Sequence, residues 1–161
     1  MILAMTTIWP LSFLVVAIID DLWFKKFHNW LFLSLCVVGL TIVVFTGHIS
    51  YLHALGGFAV GALCMLPLVL VNAIGAGDMK FMMCFGIIMG TLATFEIFIY
   101  ALFWGALIGV LQSLFAGNIL KLINNLKLMS FKMRPTQLSK IPYTVAIFFG
   151  WMTHVTYGGL L

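Results

Sequence analysis

The chain has 161 residues, of which 64% are hydrophobic and only 7% charged, and its net charge is +4. With a mean hydropathy of +1.21, it cannot be a water-soluble globular domain, in which roughly a quarter of the residues are charged. It reads as an integral membrane protein, and a nucleic-acid partner is not expected.

Residues Met1 to Ile19 are apolar throughout and lack the basic start and small-residue cleavage site of a secretory signal, so they read as a first membrane helix. Five further spans follow at about Leu31 to Thr46, Leu52 to Ile74, Phe81 to Gly90, Phe95 to Ala116 and Ile141 to Tyr157. The run from Phe81 to Ala116 is too long for one helix, and Gly90 to Thr94 is its expected turn. Pro67 falls inside the third span, where neighbouring helices can satisfy the carbonyl it frees. Between Gly117 and Lys140, Ile119, Leu122, Leu126, Met129 and Met133 recur at helical spacing among lysines and asparagines, which predicts a helix lying in the membrane interface. The expectation is an all-α polytopic membrane protein, with residues 1–161 forming a single domain.

Under a six-span count all eight Lys and Arg residues fall on one side, and that side should be cytoplasmic. Both termini are then outside. The same count puts Asp20, Asp21 and Asp78 on the cytoplasmic side, so two segments far apart in sequence should be neighbours. Glu96 falls on the outer side and is no catalytic candidate, and the histidines His48, His53 and His154, near the same side, are read as interfacial.

Only four residues of the chain are acidic. Carboxylates are costly near a bilayer core, and those retained beside membrane segments are functional candidates. Gly75-Ala76-Gly77-Asp78 sets one carboxylate among small residues, and Asp21 supplies a second. Two adjacent carboxyl groups share one proton, so one can activate water while the other protonates a carbonyl oxygen. The pattern therefore suggests a membrane aspartic protease, with Gly75 and Gly77 expected to let the backbone turn sharply and approach a peptide. Lys80 either tunes the charge at Asp78 or anchors its helix at the lipid headgroups. Asp20 reads as a helix-end residue, because adjacent helical positions point about 100° apart and cannot both face Asp78. Cys36, Cys64 and Cys84 are isolated within helices, so neither a zinc site nor a disulfide framework can be read, and no cofactor is expected.

Gly75-Ala76-Gly77-Asp78-Met79-Lys80 resembles the GxGDxK signature of the type IV prepilin peptidases. The segment Asp21-Leu22-Trp23-Phe24-Lys25-Lys26-Phe27-His28-Asn29 resembles the family's first catalytic segment, with His28 where proline usually stands. Ile141-Pro142-Tyr143 resembles the start of the last helix in its small members. The resemblance implies a GxGD-type aspartic endopeptidase with Asp21 and Asp78 catalytic and Gly75, Gly77, Lys80 and Asn29 supporting or binding substrate. It also implies cleavage after a glycine of a basic leader on prepilin or pseudopilin substrates, at the cytoplasmic face of a bacterial inner membrane. The short chain and the absence of Cys-x-x-Cys pairs resemble the peptidase-only type serving Flp and tight-adherence pili, for which no N-methylation is expected. The competing classes are an ion-coupled transporter, since carboxylates beside broken helices also describe cation sites, and a non-catalytic subunit of pilus assembly.

Overall fold

The computed structural model of the protein describes residues 2–24, 28–71, 73–115 and 143–158, with the side chains of 2–6, 21–24 and 113 excepted. Among them are six helices and no strand: α1 (Ile2–Phe24), α2 (Asn29–Thr46), α3 (Tyr51–Leu70), α4 (Ala76–Met89), α5 (Thr91–Phe115) and α6 (Tyr143–Tyr157). Three of them, over Asn29–Thr46, Tyr51–Leu70 and Thr91–Gln112, are long and apolar enough to cross a membrane. The predicted interfacial helix of 117–140 lies outside the described residues.

Local signals set the boundaries. Gly47 takes the left-handed conformation at φ 57° and caps α2, its N–H donating to Val43 O. Ser50 then caps α3, its hydroxyl accepting from the His53 N–H at 3.4 Å. The loop between them is pinned by His48, whose ring meets Thr46 Oγ1 at 2.6 Å and Ile88 O at 3.0 Å. Helix α3 stops four residues short of the predicted end, at Leu70 instead of Ile74, where the N–H groups of Ala73 and Ile74 turn back to Leu68 O. The turn between α4 and α5 is also tighter than predicted. Gly90 alone makes it, at φ 80°, a conformation that side chains resist.

Helix α4 is the centre of the bundle and packs against all five of the others. Phe81, Met82, Cys84, Phe85, Ile87 and Ile88 are all buried, so it is apolar on every side, as a fully surrounded helix must be. Small residues permit its closest approach to α3. A Cβ on Gly57 would strike Gly86 O, one on Gly86 would strike Gly57 O, and one on Gly61 would come within 2.7 Å of Met82 O. Helices α5 and α6 meet in the same manner, with Gly150 set against the backbone of Ile97 and Ala101. Between α2 and α4 the thiols of Cys36 and Cys84 lie 3.1 Å apart. The outside of the bundle is apolar, with Leu52, Phe103 and Phe115 largely exposed, which suits hydrocarbon as the surrounding medium.

Candidate active site

One end of the bundle gathers the C-terminal end of α1 and the N-terminal ends of α2, α4 and α6. Asp78 occupies the third position of α4, after the cap residue Gly75, and its N–H donates to Gly75 O at 3.2 Å. A carboxylate in a first helical turn is favoured by the partial positive charge there, worth about 0.3–1 kcal/mol at an exposed site. The hydroxyl of Thr144 in α6 donates to Asp78 Oδ1 across a long 3.4 Å.

Gly75 does not make the sharp turn expected of it. Its backbone is ordinary, φ −73° and ψ 147°, a conformation open to any residue, and Gly77 also lacks a positive φ. What the missing side chain supplies at Gly75 is space, since a Cβ there would come within 3.3 Å of Asp78 Oδ2. A side chain at this position would crowd the carboxylate.

Lys80 lies two positions beyond Asp78, on a different face of α4. Its ammonium donates to Asn29 Oδ1 at 2.6 Å, joining α4 to the first residue of α2. This contact brings the Asp21 to Asn29 segment and the Gly75 to Lys80 segment together. The lysine is thus a tie between α4 and α2.

His28 precedes α2 with φ −72° and ψ 141°, an extended conformation whose φ is the one a proline ring would impose. Its Nδ1 lies 3.6 Å from Asp20 Oδ1, and the Asp20 side chain is only 12% exposed. Asp20 is thus more enclosed than a helix-end residue facing water, and its Oδ2 has no hydrogen-bond partner among the described residues. The backbone of Asp21 belongs to the last turn of α1, and its side chain lies outside what is described. Lys25 and Lys26 are outside as well. Among the described residues, no three His, Cys, Asp or Glu side chains form a group able to hold a metal ion.

At the opposite end, Glu96 is 4% exposed and its Oε2 lies 3.0 Å from Nδ1 of His154. Sequence reading put Glu96 at the edge of an outer turn, but α5 already begins at Thr91, so the residue falls in its second turn against α6. Sequence reading also overlooked Thr144. The Ile141-Pro142-Tyr143 element directly before it was the available signal, since a helix start beside a proline sets its first side chains at a defined end of the bundle.

A family model described as the type IV leader peptidase family matches residues 8–110. No curated protein and no solved structure matches the chain.

Proposed function

The chain belongs to the type IV leader peptidase family, and on that premise we propose that it is an aspartic endopeptidase in which Asp21 and Asp78 hydrolyse a peptide bond after a glycine in the leader of pilin precursors. The observation that carries this reading is the hydrogen bond from Lys80 to Asn29, which draws the two motif segments to one end of the bundle. Register supports Asp21 over Asp20. The face of α1 turned to the core holds Pro10, Phe13, Leu14 and Ala17. At 100° per residue, position 21 falls about 30° from the middle of that face and position 20 about 70°. Helix α1 packs on α4 and α6, the helices that carry Asp78 and Thr144.

The chemistry follows from a shared proton. The ionised carboxylate takes a proton from water as the oxygen attacks the carbonyl carbon, and the protonated partner gives its proton to the carbonyl oxygen. Collapse of the tetrahedral intermediate breaks the C–N bond, and the amine leaves with a proton from the carboxyl pair. Thr144 holds Asp78 in place through its contact with Oδ1.

On this reading the basic residues and the active site face the cytoplasm of a bacterial inner membrane, and the substrate is a prepilin or pseudopilin of the Flp type. The three cysteines lie singly in α2, α3 and α4, and the new N-terminus of the product is expected to be unmethylated. Co-expression with a pilin precursor and sizing of the product tests the proposal. A shortened product that disappears with Asp78→Asn supports it, and processing that survives Asp78→Asn overturns it.

A further inference from the structure

Tyr143 is the first residue of α6, and it is 8% exposed, within the main core. Its ring is held by shape. Gly105 of α5 stands against it so closely that a Cβ there would come within 3.0 Å of Tyr143 Cε2. The hydroxyl oxygen is buried and has no hydrogen-bond partner among the described residues. A buried hydroxyl gives up its hydration, and native structures seldom leave that loss uncompensated. The adjacent residue, Thr144, touches the Asp78 carboxylate, and that carboxylate lies within electrostatic reach of the phenol. The start of α6 thus carries an unused donor in the residue next to the one that touches the carboxylate expected to do the chemistry.

We propose that Tyr143 is a catalytic residue whose hydroxyl donates a hydrogen bond to the carbonyl oxygen of the scissile peptide bond. The proposal rests on the aspartic peptidase reading above. A phenol keeps its proton at neutral pH and serves as a donor. As water adds to the carbonyl carbon, negative charge grows on the oxygen, and a donor already fixed in a poorly hydrated position stabilises it without reorganising. The phenol transfers no proton. The protonated carboxyl still supplies the proton that the carbonyl oxygen receives, and the other carboxylate still takes one from water. Tyr143 supplies a second donor to the same oxygen, and the bound peptide satisfies the hydroxyl that the protein alone does not.

The test compares the wild-type full chain, Tyr143→Phe and Asp78→Asn in bilayers, with a purified pilin precursor whose basic leader ends in glycine as the probe. Phenylalanine preserves the ring that Gly105 accommodates and removes only the donor. Tyr143→Phe should lower kcat about a hundredfold, leave KM within about twofold and unfold at the wild-type temperature. Replacement of Tyr143 by 3-fluorotyrosine, a more acidic phenol, should restore kcat to at least the wild-type value. Wild-type kcat in Tyr143→Phe, with Asp78→Asn inactive, would overturn the role of Tyr143 and leave the peptidase intact. A fall in kcat matched by a fall in unfolding temperature, or one that the fluorinated residue does not reverse, would make Tyr143 a packing residue only. Cleavage by Asp78→Asn would remove the peptidase reading and this proposal together.

Discussion

The ammonium of Lys80 sits 2.6 Å from the amide oxygen of Asn29, fifty-one residues away in sequence, and this one contact fastens α4 to the start of α2. The pair lies near the surface, where a charge-assisted contact is worth at most about 1 kcal/mol after solvent screening. Its effect should therefore fall on alignment of the two segments more than on stability. Lys80→Met and Asn29→Leu are each expected to slow precursor processing about fivefold, and the double variant should be no slower than either. Additive losses in initial rate would show that the two residues act separately.

Asp21 and Asp78 should each be indispensable. Asparagine preserves size but cannot exchange the shared proton, so Asp21→Asn and Asp78→Asn are expected to abolish cleavage with the protein still present in the membrane. Asp20→Asn should retain most activity. If it is the inactive variant and Asp21→Asn still cleaves, the helical register assigned to α1 is wrong by one residue.

Close packing of α3 on α4 predicts an asymmetry among glycines. Gly57→Ala drives a methyl group into the carbonyl of Gly86, which is backbone and cannot swing aside. A cost of about 1–3 kcal/mol is expected. Gly39→Ala meets only side-chain atoms of Ile87 and Ile88 at ordinary contact, 3.5 Å away, and should melt with the wild type. Equal melting temperatures for the two variants in detergent would contradict the α3 and α4 interface.

Proximity of Cys36 and Cys84 offers an independent check on α2 against α4. Oxidation with copper phenanthroline should join these thiols in an intramolecular disulfide, the two protons and two electrons passing to the oxidant. Digestion and mass spectrometry are expected to find peptides linked through 36 and 84. Linkage exclusively through Cys64 would be incompatible with the arrangement.

Orientation can be read by labelling. In a cysteine-free background, Tyr157→Cys, at a largely exposed position, should react with an impermeant thiol reagent added from outside. Lys127→Cys should react only after the membrane is opened. Outside labelling at 127 would reverse the assigned topology.

The six helices were legible because a bilayer demands long apolar runs and punctuates them with a few residues of special backbone. Gly90 was recognisable as a break for that reason. Hydropathy could not place the end of α3, since Val71 and Ile74 are as apolar as the helix before them, and the return of two N–H groups to Leu68 O ends it. At the site, motif spacing pointed to Asp78, Lys80 and Asn29 but not to what each touches. The bond between Lys80 and Asn29 depends on how α2 crosses α4, which no spacing encodes. Glu96 shows a related limit. The expected turn of five residues is made by one glycine, so the carboxylate lies in the second turn of α5, enclosed with His154.

Helix α4 has only 14 residues. At 1.5 Å per residue it rises about 21 Å, against a hydrocarbon layer of about 30 Å. If its far end, at Gly90, reaches the opposite interface, Asp78 lies several ångströms below the level of the surrounding lipid headgroups. A substrate must then be threaded down to the carboxylates in a strand-like form. A folded protein cannot follow, and a helix would have to unwind first. On the peptidase reading proposed above, the short helix would act as a sieve, protecting compact proteins from hydrolysis whatever their sequence and admitting only a flexible tail already held at the membrane.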